Sequence, residues 1–332
     1  MHRRIWTSIL SGIGLIVLIL DAKTALQGAA EGIELCLKAV IPALFPFFML
    51  SILLTSTLIG QKIPILAPIG RLCGMPYGSE SLLIVGLLGG YPTGAQAVTQ
   101  AYSLGQIRKH DAQRLLGFCS NAGPAFLFGM VAPNFPSSWY AWALWGIHIL
   151  SAVLVGALLP YKSDDTARIK AAKPISLSSA LERSIKIMAS VCAWVVLFRV
   201  MIAFADRWFL WLVPEYTRTI IIGILELSNG CCELSLIQDE SLRFIICSGI
   251  LAFGGLCVTM QTVSVAKELG MGMYFPGKVL QCLISLILSC LVMLNRLEIA
   301  IAMLSFSIIF VILLLLLRKM QKKSSNMLTI GV

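Results

Sequence analysis

Residues 79–104 read SESLLIVGLLGGYPTGAQAVTQAYSL, and residues 217–238 read TRTIIIGILELSNGCCELSLIQ. Each stretch has a short apolar arm, a break (GGYPTG at 89–94, ELSNG at 226–230) and a second short arm. An arm of about 9–12 residues is too short to cross a bilayer, which takes about 20 apolar residues in helical form. Two such arms on either side of a break read as a re-entrant helical hairpin.

The surroundings of both hairpins read as membrane. Of 332 residues, 58% are hydrophobic and 13% charged, and the mean hydropathy is +0.88. A soluble domain is about 25% charged. So much apolar surface cannot be hidden in one soluble core, which excludes a cytosolic enzyme, a secreted disulfide scaffold and a disordered chain. Clean spans fall at 5–20, 41–60, 139–159, 184–206, 276–294 and 297–317. Two further spans, near 112–132 and 241–266, are interrupted by Gly or Pro, which gives about eight crossings. Residues 24–40 carry Glu31, Glu34 and Lys38 among apolar neighbours and read as an interfacial amphipathic helix. His2-Arg3-Arg4 ahead of the apolar run Ile5–Leu20 resembles a signal peptide. Asp21-Ala22-Lys23 is a poor cleavage site, so the run is read as an uncleaved first span.

The basic residues act as topology signals rather than as a nucleic-acid footprint. The net charge is +10, from 26 Lys and Arg against 16 Asp and Glu. With the N-terminus inside, nineteen of the 26 fall on the inner side, six on the outer side, and Arg199 lies within a span. This lopsided split places both termini in the cytoplasm. Hairpin 79–104 then enters from inside and hairpin 217–238 from outside. The order span, hairpin, broken helix, span occurs twice, the second time upside down. The expected fold is an all-α polytopic membrane protein built of inverted repeats. Its parts are a first span with the interfacial helix (1–40), repeat 1 (41–159), a polar basic cytoplasmic linker (160–183), repeat 2 (184–294), and a last span with a basic tail (295–332). Weak echoes support the repeat, such as Arg114-Leu115-Leu116-Gly117-Phe118-Cys119-Ser120 against Arg243-Phe244-Ile245-Ile246-Cys247-Ser248.

Broken helices in corresponding positions of two inverted halves point to a transporter's substrate site. Non-helical backbone at membrane depth is tolerated where it is buried in protein or lines a wet cavity. Free N–H groups at half-helix N-termini suit anionic ligands. The candidate site residues are Tyr91, Thr93, Gly94, Gln96, Ser228, Asn229 and Gly230 at the hairpin tips. Ser120, Asn121, Gly123, Gly254, Gly255, Thr259 and Gln261 in the broken helices join them. Gly94 and Gly230 are read as places where backbone approaches substrate. Glu226 is a further candidate, because a carboxylate inside a membrane is costly and a functional hypothesis by default. It could carry a coupling proton or hold a cation, or simply cap backbone at the turn. Arg199 could pair with Glu226, attract an anion, or snorkel to the outer interface. Most of the tryptophans, among them Trp139, Trp142, Trp208 and Trp211, suit an outer interfacial belt, with Trp194 deeper.

Other chemistry lacks its signature. The ten cysteines form no C-x-x-C pair and read as small buried hydrophobes. Only His2, His110 and His148 are present, so no metal or cofactor site is expected. There is no nucleotide fingerprint and no evident nucleophile–base pair, so an enzyme is not expected. The expected partners are the lipid bilayer and a small polar or anionic solute, not nucleic acid. A coupling ion and a homo-oligomer are compatible with the pattern.

The runs GGYPTGAQAVTQAYSLGQI (89–107) and RLLGFCSNAGPAF (114–126), with ELSNG (226–230) and FGGLCVTMQT (253–262), resemble the YlbJ-type sporulation integral membrane proteins. The resemblance covers approximately residues 40–295 and implies a nucleoside-recognition Gate domain, distantly similar to concentrative nucleoside transporters. It further implies transport of dipicolinate into the developing spore, from a membrane around that spore. Nucleoside-type cargo, or a non-transporting structural or regulatory role in sporulation, are the alternatives.

Overall fold

The computed structural model describes residues 2–58, 60–61, 63–160 and 174–294. Every regular element among them is helical. Among the described residues, five helices are long and apolar enough to cross a membrane: Ala22–Leu58, Ser138–Leu158, Leu177–Trp208, Glu240–Val265 and Tyr274–Met293. The expected span 5–20 falls in α1 (His2–Leu20), whose described apolar stretch, Ser11–Leu20, is shorter than a span. The expected span 297–317 lies outside the described residues.

Residues 24–40 do not form a separate interfacial helix. Helix α2 (Ala22–Leu35) runs through a π-helical turn (Cys36–Val40) into α3 (Ile41–Leu58), making one helix of 37 residues. At about 1.5 Å per residue it is roughly 55 Å long, well over the thickness of a hydrocarbon core. The reason lies in the partner helix α10 (Leu177–Trp208), which runs antiparallel to α2. Asp21 pairs with Arg207 at 2.7 Å, and Cys36 Sγ donates to the Cys192 carbonyl at 3.8 Å. Between these points Gly28 and Gly32 let the backbones touch. A Cβ on Gly28 would stand 2.8 Å from Ala203 Cβ, and one on Gly32 would stand 2.9 Å from Val196 Cα. Two small residues four apart on one face form the close-packing seam of membrane helices. The acidic residue that suggested an interface, Glu31, is paired with Arg199 instead.

The remaining helices repeat one order twice. After α3 and the short α4 (Ala67–Leu72) come a helical hairpin, α5 (Glu80–Leu88) and α6 (Thr93–Ser103), and a broken segment. That segment comprises α7 (Lys109–Leu116), extended backbone, α8 (Pro124–Phe126) and a π turn (Leu127–Val131). The long α9 (Ser138–Leu158) closes the half. After α10 come the hairpin α11 (Glu215–Leu225) and α12 (Leu227–Cys232), the broken pair α13 (Glu240–Phe253) and α14 (Gly255–Val265), and the long α15 (Tyr274–Met293). Counterparts pack on one another, α3 on α10 and α9 on α15. The hairpins cross over: α6 packs on α14, and α12 packs on the π turn at Leu127–Val131. The echoed arginines also play one role. Arg243 donates to the carbonyls of Ile237 and Asn134, at 2.8 and 2.6 Å. Fully buried Arg114 donates to carbonyls at Cys73, Gly74, Gly156 and Leu159, at the C-terminal ends of α4 and α9. Helix C-termini carry partial negative charge, so a buried guanidinium is compensated there.

Candidate functional site

Both hairpin tips meet the long helices at a small, narrow cavity. The first hairpin contributes Gly90 and Tyr91, and the second contributes Glu226, Leu227 and Ser228. The broken segments add Ala122, Gly123 and Phe126 from one half and Val258 and Gln261 from the other. Leu44 of α3 and Val191 and Val195 of α10 form the apolar wall. A mostly apolar cavity with a few converging polar groups is the general form of a small-molecule site.

Local sequence explains each tip. Gly90 sits at φ +75°, a conformation glycine adopts at little cost, and the Thr93 hydroxyl donates to its carbonyl at 2.6 Å. At the second tip Glu226 is extended and caps α12. Its Oε2 accepts from the Asn229 backbone N–H at 2.6 Å and from Asn229 Nδ2 at 2.7 Å. This is the backbone-capping role among the readings left open for Glu226. The break between α13 and α14 lies at Gly254 and Gly255, both at φ +80°. Tyr91 fills the space Gly254 leaves, so that a Cβ there would stand 3.0 Å from the Tyr91 hydroxyl oxygen.

Of the expected site residues, the structure brings Tyr91, Gly123, Glu226, Ser228 and Gln261 to the cavity. Thr93, Ser120, Asn121 and Asn229 are buried beside it or behind it. Gln96 and Thr259 are half-buried on α6 and α14, and the Thr259 hydroxyl donates back to the Gly255 carbonyl at 3.0 Å. Gly94 and Gly230 do not face the cavity. A Cβ on Gly94 would fall 1.9 Å from the Cys119 carbonyl oxygen, and one on Gly230 would fall 2.3 Å from Gly223 Cα. Gly254 and Gly255 likewise meet protein, at Tyr91 and at the Gly223 carbonyl. These four glycines serve helix packing, and their small size is used up by protein rather than by substrate.

Arg199 does not reach Glu226. It forms an ion pair with Glu31 and lies 3.7 Å from Asp206. Trp139, Trp142, Trp208 and Trp211 are exposed, and Trp194 is more covered.

Sequence reasoning missed a polar layer behind Tyr91. Lys278 on α15, one of the nineteen basic residues that the charge pattern assigns to the inner side, is 1% exposed. Its Nζ donates to the Tyr91 hydroxyl at 3.0 Å and to Gln281 Oε1 at 2.7 Å, and it lies 5.0 Å from the Tyr91 ring centre. The Tyr91 hydroxyl donates onward to the Leu251 carbonyl at 3.4 Å. Gln281 Nε2 donates to Asn121 Oδ1 at 2.9 Å and to the His148 carbonyl at 3.4 Å. The Ala122 backbone N–H donates to His148 Nε2 at 3.1 Å. The signal was present: Lys278, Gln281, Ser285 and Ser289 fall on one face of an otherwise apolar run, and all four are buried.

The magnitudes set Lys278 apart from Arg114. A neutral hydrogen bond contributes about 0.5–1.5 kcal/mol, whereas removing an ion from water costs several kcal/mol even after relaxation. Arg114 meets four carbonyls at two helix ends. Lys278 meets one hydroxyl and one amide oxygen, and no carboxylate ion pair with it occurs among the described residues. Two neutral acceptors do not offset that cost. Also among the described residues, no group of three His, Cys, Asp or Glu is placed to hold a metal.

Comparison with known proteins agrees with the motifs. The sequence is 25% identical over an alignment of 302 residues to the sporulation integral membrane protein YlbJ of Bacillus subtilis (strain 168), taking in 74% of this chain and 71% of that one. The chain is a relative of the YlbJ-type proteins. No family model matches the sequence, and no solved structure matches it. The YlbJ-type relationship and the long apolar helices together establish a multi-pass integral membrane protein related to a sporulation protein.

Proposed function

We propose that the chain is a secondary transporter or facilitator, not an enzyme, and that it carries a small polar or anionic solute through the cavity at the hairpin tips. The observation that carries this reading is the cavity itself. Tyr91 of one hairpin and Glu226 and Ser228 of the other converge on it, with broken backbone from both halves beside them. In this reading the two hairpins are re-entrant, the halves are inverted, both termini are cytoplasmic, and the chain sits in a membrane around the developing spore. Dipicolinate is the first candidate solute, as the motif resemblance to YlbJ-type proteins implies. The test is uptake of labelled dipicolinate by proteoliposomes holding the purified chain. Solute-dependent uptake above protein-free liposomes is expected, and its absence for dipicolinate, nucleosides and a panel of small metabolites would leave a structural role in the membrane.

One observation favours a second reading. Glu226 lines the same cavity, and a carboxylate there opposes an anion. A neutral, nucleoside-like solute would meet no such opposition. Competition of uridine against dipicolinate in the same liposomes separates the two.

A further inference from the structure

Lys278 has no part in the cavity as the chain stands, because Tyr91 lies between them. Tyr91 lines the cavity, and its hydroxyl accepts from the Lys278 ammonium on the side away from it. The Lys278 side-chain nitrogen is buried among neutral or weakly polar side chains. These are Tyr91 of the first hairpin, Cys119 and Asn121 of the first broken segment, His148 of α9, and Gln281 and Cys282 of α15. Ser120 Oγ and His148 Nδ1 are also buried, without a hydrogen-bond partner among the described residues. A lysine has three donors, and two acceptors are present. A buried lysine with an unfilled donor and no ion-pair partner among the described residues is, when protonated, complementary to an oxyanion.

We propose that Lys278 is the solute's charge partner: it receives one carboxylate of a small organic anion, and Tyr91 is the gate that covers it between binding events. This rests on the transport reading and names the group that reads the charge. When the Tyr91 side chain turns away from Gly254, its hydroxyl leaves both Lys278 and the Leu251 carbonyl. The incoming carboxylate oxygen takes the place of the phenol on Nζ. Gln281 stays in place, held by Asn121 and the His148 carbonyl, and keeps the ammonium oriented. Glu226 does not pair with Lys278 in this structure: its Oε2 accepts from Asn229 within its own hairpin, the second. One lysine compensates one carboxylate, so a solute with two gains no more from Lys278 than a solute with one.

The test is equilibrium binding to the full purified chain in detergent, with four probes: dipicolinate, picolinate, the uncharged pyridine-2,6-dicarboxamide, and uridine. Lys278→Met should weaken dipicolinate and picolinate by the same factor, about tenfold or more, and leave the dicarboxamide unchanged. Lys278→Arg should retain most of the affinity for both anions. Tyr91→Phe removes the hydroxyl that occupies the ammonium and should tighten both anions. Opposite shifts from two touching residues are not what a packing role produces. Equal loss of charged and uncharged probes in Lys278→Met, or unchanged anion binding, overturns the proposal. So does a wild-type chain that binds the dicarboxamide or uridine but neither anion, or that binds none of the four. If Lys278→Met does not purify as a folded chain, Tyr91→Phe decides: tighter anion binding supports the proposal, and unchanged or weaker binding overturns it. Lys278-dependent binding without flux in liposomes would uphold the lysine's role and overturn transport. Flux that is indifferent to Lys278 would do the reverse.

Discussion

Gly28 of α2 lies so close to Ala203 of α10 that a Cβ on the glycine would stand 2.8 Å from the alanine methyl, inside any ordinary contact distance. Gly28→Leu should force the two helices apart and destabilise the chain by about 1–3 kcal/mol, as overpacking does elsewhere. The thermal midpoint of the purified chain in detergent reads the effect. Gly146→Ala on α9, where a Cβ meets nothing within 4 Å, should be neutral or slightly stabilising.

The ion pair of Glu31 with Arg199 is partly covered, with side-chain exposures of 35% and 19%. Arg199→Met strands Glu31 against α10 and should cost about 1–3 kcal/mol. Adding Glu31→Gln to Arg199→Met should restore part of that loss. A double-mutant cycle on unfolding measures it, and strict additivity would show that the pair contributes nothing.

Gly94→Ala should abolish folded protein rather than binding alone, because the new methyl would overlap the Cys119 carbonyl. Size-exclusion profiles of a fluorescent fusion report this directly. A well-folded Gly94→Ala chain with lost binding would return Gly94 to the solute site.

Glu226→Gln keeps an oxygen to cap the Asn229 N–H, so the fold should survive. Glu226→Ala leaves the backbone and side-chain donors of Asn229 without that acceptor and should cost about 1–2 kcal/mol. If Glu226 handles a proton during transport, Glu226→Gln flattens the pH profile of dipicolinate uptake while dipicolinate still binds. A wild-type pH profile in that variant removes Glu226 from proton handling.

Single cysteines at Lys109 and Ser178 should be labelled from one side of the membrane and a cysteine at Asp239 from the other. All three positions are exposed. The exposed native Cys232 is replaced by Ser beforehand. Labelling of all three from one side would end the inverted arrangement.

The helical hairpins and breaks were legible because apolar arms too short to span, with Gly and Pro between them, leave little else for the backbone to do. The convergence of Tyr91, Glu226, Ser228 and Gln261 followed from the same breaks. Two features were not legible. Gly28 and Gly32 were hidden by Glu31 and Lys38, whose charges suggested an interface when Glu31 in fact pairs across to α10. Lys278 was hidden by the charge count: a lysine near the end of an apolar run satisfies a topology rule whether its side chain points to water or to the core. Only the neighbours at Gln281 and Tyr91 separate those cases, and Tyr91 is 187 residues away in sequence.

The exchange of hairpin contacts, α6 on α14 and α12 on the π turn of the first broken segment, bears on how the chain is made. The first half leaves the ribosome with a surface that only the second half can cover. It must therefore wait in the lipid, incompletely packed, until translation is nearly finished. A gene split in the linker after residue 160 should yield two fragments that are each degraded when made alone and that rescue each other when made together.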